Sequence, residues 1–222
     1  MLQPSTIRFL KELTKNNNKP WIDEHRNNYL DAKADFEKLV AVVIKETATF
    51  DSDVSELQVK NCTYRQNRDV RFSKDKRPYK NNMGAYIARE GKKSIYAGYY
   101  FHFEPGGKSF TGGGLWMPEA PNLKKVRQEI DYCFTEFSKI IKNKDFKKEY
   151  GDLEQTSDIK LINLPRGYEK ENPAVEYLKL KSLLALKPIT DKELMEEDLA
   201  KKIIRSFKAL MPLVKFINRS PE

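Results

Sequence analysis

The chain has 222 residues, 41 of them Lys or Arg against 32 Asp or Glu, giving a net charge of +9; hydrophobic residues make up 39% and charged residues 33%. This is a globular composition, long enough for one domain with a substantial core and too rich in Phe and Tyr for a disordered chain. The longest aliphatic run, Leu39 to Ile44, is far shorter than the ~20 apolar residues of a membrane span. Charges at Arg8, Lys11 and Glu12 stand where a secretory signal needs its apolar core. Cys62 and Cys133 lack a partner motif and fit reduced thiols. A cytoplasmic location with no membrane partner is therefore expected.

In chain order, residues 5–16 form a short amphipathic helix, with Ser5 or Thr6 as its cap and Phe9, Leu10 and Leu13 on one stripe. A longer helix runs from Trp21 to about Thr47, because Tyr29, Phe36, Leu39, Val40 and Val43 recur at three- and four-residue steps. The period then changes. Ile95, Ala97, Tyr99, Phe101 and Phe103 alternate with Tyr96, Gly98, Tyr100, His102 and Glu104, which predicts a strand with one apolar and one mixed face. Residues 64–72 and 84–88 read as neighbouring strands, and residues 108–118 as a strand ending in glycines.

After Pro121, Asn122 caps a helix of some twenty residues carrying Leu123, Val126, Ile130, Phe134, Phe137 and Ile141. A polar connection follows, and residues 161–189 read as strand, loop, short helix from Asn172-Pro173, then strand. Thr190 and Glu193 form a capping box before a last helix marked by Leu199, Ile203, Phe207, Leu210 and Leu213 and interrupted at Pro212. The predicted class is α+β: a central, mainly antiparallel sheet flanked by N- and C-terminal helices in a single domain. Within it, residues 1–50 are helical, 60–118 form the β-rich core, and 119–222 add helices and one or two strands.

The charge is focused. Residues 1–59 carry 8 basic and 10 acidic groups, residues 60–93 carry 11 and 3, and residues 94–222 carry 22 and 19. Tyr64 to Asn82 alone holds seven cations: Arg65, Arg68, Arg71, Lys74, Lys76, Arg77 and Lys80. Such focusing speaks against a diffuse attraction of the whole chain to nucleic acid or anionic lipid.

Four stretches, "RDVRFSKDKRPYK", "YYFHFEPG", "GGGLWMP" and "LPRGY", together resemble the Domain-of-Unknown-Function family 2461, and the likeness spans nearly the whole chain. The resemblance implies no particular activity, cofactor or partner. Where the family pattern carries threonine before Pro-Tyr-Lys, this chain has Arg77, so a hydroxyl there is not essential.

Arginine offers a planar fork to phosphate or carboxylate and lysine a mobile point charge, so the basic segment suits an oxyanion. If residues 65–72 are a strand, Arg65, Asp69 and Arg71 share one face, with Asp69 orienting a guanidinium. Arg68 points to the other face, and Lys74, Lys76 and Lys80 ring the site from the following turn. The competing reading is that Asp69 and Asp75 neutralise these cations and the remainder is a solvated face. Arg166, in a loop before the short helix, joins the anion site only if it folds near Arg71, with Lys179 and Lys181 behind it. Residues 106–114 include glycines that let amides approach a phosphate in a nest, or else mark turns and bulges; they match no nucleotide-binding loop.

His102 and Glu104, beside Tyr100 on one strand face, are candidates for a general acid/base pair, with Asp69 as a further catalytic candidate. Only two histidines exist; His25 packs or caps, so a histidine-rich zinc centre is not expected and no metal ligands are assigned. Serine and cysteine stand in no nucleophile elbow, and Cys62 reads as a strand residue. Three readings follow. The first is a basic pocket for a phosphate- or carboxylate-bearing small ligand, with or without catalysis. The second is a nucleic-acid-binding module stacking bases on Tyr64, Phe72 or Tyr79, and the third an interaction domain for an acidic protein.

Overall fold

The computed structural model describes residues 1–220. Helix α1 (Pro4–Lys15) starts at Pro4, whose missing N–H is unneeded in a first turn, so Gln3 and not Ser5 or Thr6 is its cap. The helix expected from Trp21 is two: α2 (Lys19–Glu24) and α3 (Arg26–Ala48). They part at His25, whose ring Nδ1 bonds the Trp21 carbonyl at 2.9 Å while the ring stacks on the Trp21 indole at 4.3 Å. A short α4 (Val59–Cys62) follows, so Cys62 is a buried helical residue and not part of a strand.

Strands β1 (Met83–Ile87), β2 (Gly98–Phe103), β3 (Ser109–Leu115) and β4 (Leu183–Ile189) pair in that order, every neighbour antiparallel. The alternation on β2 appears as expected: Tyr99, Phe101 and Phe103 are fully buried, and Tyr100 and His102 are half-buried on the opposite face. The glycines do not end β3; they form its last half. Gly112, Gly113 and Gly114 lie at φ +151°, +146° and +120°, and a Cβ on any of them would meet a carbonyl oxygen of an adjoining strand at 1.9–2.1 Å. Only glycine fits a central strand twisted this way.

The single helix expected after Pro121 begins at Ala120 and is divided at Cys133 into α5 (Ala120–Tyr132) and α6 (Phe134–Ile141). One non-helical residue leaves the apolar period intact on both sides, and that continuity hides the break from sequence. The polar connection holds α7 (Lys144–Tyr150). No strand forms at residues 161–164; only an isolated bridge, Lys160 to Leu180, lies nearby. The short helix α8 (Val175–Leu178) follows Asn172, whose side chain accepts from the Ala174 amide at 2.8 Å. The Thr190–Glu193 capping box is formed, with bonds of 2.9 Å and 3.2 Å. Helix α9 (Leu199–Asn218) is not interrupted at Pro212 but continues past it. The ~3 kcal/mol cost of an interior proline is outweighed by its buried Ile203, Phe207, Leu210, Leu213, Phe216 and Ile217.

The class is therefore α+β. Helix α9 packs across β2 and β3, α3 against α9 and β1, and α1 against α3. They bury the sheet face made by Ala85, Ile87, Tyr99, Phe101, Phe103 and Ala185. None of the described helices is long and apolar enough to cross a membrane.

Candidate functional site

The opposite sheet face is assembled by register: Tyr86, Tyr100, Gly112 and Leu186 form one row across the four strands, and Gly84, His102, Phe110 and Pro188 the next. Over this face lies a cavity of about 580 Å³. Its floor is Tyr86, Tyr100, Leu184, Leu186 and the bare backbone of Gly113 and Gly114, and Trp116 and Met117 stand exposed at its lip. The Tyr86 hydroxyl donates to the Tyr96 and Gly114 carbonyls at 2.8 Å and 3.2 Å, fixing that ring. A volume in the usual ligand range with a mostly aromatic and aliphatic lining is what a small-molecule pocket needs.

One wall is basic. Arg65, Lys80 and Lys92 line it, with Glu119 and Asn122 elsewhere on the lining. Lys92 is committed to the Lys60 and Thr63 carbonyls at 2.7 Å and 2.5 Å. The Lys80 ammonium sits 5.1 Å over the Tyr64 ring. Its burial, and next the like charge of Arg65, hold its pKa below the ordinary lysine value. Among the described residues Arg65 makes no hydrogen bond or ion pair, unlike its neighbours Arg68 and Arg71. Two adjacent cations thus line the cavity with neither held in an ion pair among the described residues.

The segment that delivers them is not a strand. Residues 64–82 fold as an irregular arm closed by bonds from Arg68 N to Pro78 O, from Lys80 N to Gln66 O and from Tyr64 N to Gly84 O. Asp69 and Asp75 each accept from the amide two residues on, at 3.3 Å and 3.0 Å. Pro78 has no amide to offer. These local turns draw the backbone out of any ladder. The arm is pinned at its base by Asn17, which accepts from Tyr79 N at 3.0 Å and donates to Tyr79 O at 2.9 Å.

The expected convergence of Arg65, Asp69 and Arg71 accordingly does not form. Asp69 pairs with Arg71 at 2.7 Å at the exposed surface, and that pairing holds the Asp69 carboxyl below its usual range. Arg68 and Arg77 both grip Asp75, at 2.8 Å and 2.7 Å. Lys76 donates to the Val70 and Arg71 carbonyls at 3.1 Å and 3.4 Å, and Lys74 is exposed. Arg166 is exposed, and neither it nor half-buried Lys181 lines the cavity. Of the arm's aromatic residues, Phe72 is 96% exposed, while Tyr79 packs against the core and Tyr64 lines the cavity. Of the residues proposed to hold an anion, Arg65 and Lys80 alone line the cavity.

The polar line on β2 is continuous. The Tyr100 hydroxyl lies 3.1 Å from His102 Nδ1, and His102 Nε2 lies 3.2 Å from Glu104 Oε2. His102 is stacked flat on Phe110, with ring centroids 4.7 Å apart and planes inclined by 7°. Burial pushes the imidazole below its ordinary value against the opposing pull of Glu104. Burial and the neighbouring Tyr64 push the Tyr100 phenol up to about 12. Gly106 and Gly107 sit in a turn between β2 and β3, and their amides are taken by the Asp191 carboxylate at 2.9–3.1 Å. The signal for Tyr100 was present in the sequence as the third alternate residue of one strand face. The signals for Leu184 and Leu186 were not, because only the register of β4 against β3 brings them there.

No curated protein and no solved structure matches the chain. The family model described as conserved hypothetical protein (DUF2461) matches residues 5–216, and by that match across nearly its whole length the chain belongs to this family.

Proposed function

We propose that the cavity binds a small amphiphilic anion, whose phosphate or carboxylate meets Arg65 and Lys80 and whose flat apolar body lies on Tyr86, Tyr100, Leu184 and Leu186 beneath Trp116. The observation that carries this reading is that Arg65 and Lys80 line one cavity and neither is held in an ion pair among the described residues, while burial and then the like charge of Arg65 keep the Lys80 pKa down. Two cations left in this state at a cavity wall have an anion as their natural complement, bound by charge-assisted hydrogen bonds. The remaining arginines of the arm are satisfied by Asp69 and Asp75, which weakens the case for a surface that tracks a phosphate backbone.

Thermal melting in the presence of naphthoate, naphthyl phosphate or uncharged naphthylmethanol tests the reading. At a hundredfold excess over Kd a bound ligand contributes about 2.7 kcal/mol, which for a chain of this size is about 5 °C or more in Tm. The two anions are expected to raise Tm and the alcohol to leave it. Arg65→Ala should abolish the gain and Arg71→Ala should preserve it. Equal loss from both variants, or an equal gain with the alcohol, overturns the reading in favour of a diffuse charged face.

A further inference from the structure

Tyr100, His102 and Glu104 are alternate residues of one chain segment, and the chemistry of the last fixes the proton positions of the first two. A carboxylate only accepts, so the His102 nitrogen 3.2 Å from Glu104 carries the ring proton. In the neutral ring Nδ1 is then bare, and the Tyr100 hydroxyl at 3.1 Å donates to it. The hydroxyl's proton is aimed at His102, which leaves the oxygen's lone pairs for the cavity that Tyr100 lines. Space for that oxygen is kept by Gly84, where a Cβ would stand 2.6 Å from it. Phe110 holds the imidazole plane from the side.

This is the order nucleophile, base, orienting carboxylate that activates a hydroxyl elsewhere in protein chemistry. We propose that Tyr100 is the nucleophile of a group-transfer reaction, with His102 as its base and Glu104 as the residue that positions and charges that base. The substrate class is an anionic amphiphile carrying an activated acyl or phosphoryl group. The bond from Tyr100 Oη to the acyl carbon or phosphorus forms as the bond to the leaving group breaks. The leaving group departs with its electron pair, and the Tyr100 proton passes to His102 Nδ1, giving an imidazolium paired with Glu104. The proposal rests on the cavity being a site for anionic amphiphiles.

Sulfonyl fluorides test both ideas separately. Attack by a tyrosine oxygen forms an O–S bond, expels fluoride and releases the phenolic proton, so the labelling rate reads the activation of each tyrosine. The full chain is incubated with benzenesulfonyl fluoride or para-carboxybenzenesulfonyl fluoride, and labelling is followed by peptide mass spectrometry with exposed Tyr132 as internal reference. Tyr100 is expected to react faster than Tyr132. His102→Gln should slow Tyr100 about a hundredfold, in the range of general-base effects, and Glu104→Gln by less, with Tyr132 unchanged.

The wild-type rate should also fall at acid pH as His102 protonates, with the fall setting in below the free-imidazole value of about 6.5 because burial lowers the ring's pKa. The groups that shape this profile are Glu104, Lys108 at 3.2 Å from it, Arg77 in its field, and Tyr64 facing Tyr100 beside Lys80 and Arg65. Should His102→Gln not fold, Glu104→Gln and the wild-type pH profile carry the test. Tyr100 labelling no faster than Tyr132 with both reagents, or indifferent to pH and to these variants, overturns the relay. Equal labelling of Tyr100 by both reagents supports the relay and overturns the anion site.

Discussion

Arg65 and Arg71 look alike in sequence, and the difference between them is what each touches. Arg71 is neutralised by Asp69, whereas Arg65 adds to the charge around Lys80. Arg65→Ala is therefore expected to leave Tm unchanged or higher in the absence of ligand, and to let the Lys80 pKa return upward in an ammonium NMR titration. A drop in Tm would mean that Arg65 serves the fold. His102 gives a pH prediction at the same scale. Its pKa is depressed in the folded protein, so below the unfolded value of about 6.5 the unfolded chain binds the proton first. Stability is then lost as pH falls from there to the folded pKa. The Tm of His102→Gln should thus fall less than that of the wild type between pH 7 and 5, and parallel curves would show that the ring is not held neutral.

Among the elements, β3 is the most constrained by its own residues. Gly113→Ala places a Cβ 2.1 Å from the Gly98 carbonyl at a positive φ and should cost about 3 kcal/mol or more in a urea melt. Gly106→Ala, at φ +93° with nothing within 4 Å, bears the backbone cost alone, about 1 kcal/mol. The strand pattern of β2 and the apolar stripes of α1, α3 and α9 were legible because burial imposes a period on each. The arm of residues 64–82 was not, because its charged residues suit either a strand face or a chain of turns. What decided it was the competition of Asp69 and Asp75 side chains for nearby amides, together with Pro78. The glycine run was misplaced at a strand end for a related reason: composition reports freedom of φ, and only the neighbouring strands show that this freedom is used inside the sheet. The same limit applied to the site, where Arg65, Lys80, His102 and Glu104 were named from sequence and the rest of the cavity depended on pairing between distant strands.

At the scale of the molecule, helices cover one sheet face and leave the other for the cavity. The covered side is tied by Asp51, 2% exposed, which accepts from Tyr99 at 2.7 Å and meets Lys215 of α9 at 2.6 Å. Asp51→Ala strands the Tyr99 hydroxyl and leaves Lys215 to Asp53 alone, 2.7 Å away, and should lower stability by about 2 kcal/mol, a figure reduced for the solvent that reaches Lys215. Calorimetric melting checks it, and a change within ~0.5 kcal/mol would count against the tie. The bare floor at Gly113 and Gly114 has a further consequence for descent. A surface made of peptide groups has no side chain to exchange, and its glycines admit no replacement, so substitution has no means of reshaping it. Under the proposed function, ligand preference is reshaped only through the side chains of the lining, Tyr86, Tyr100, Leu184 and Leu186 on the floor and Arg65, Lys80, Trp116 and Met117 around it, and not through the glycine backbone between them.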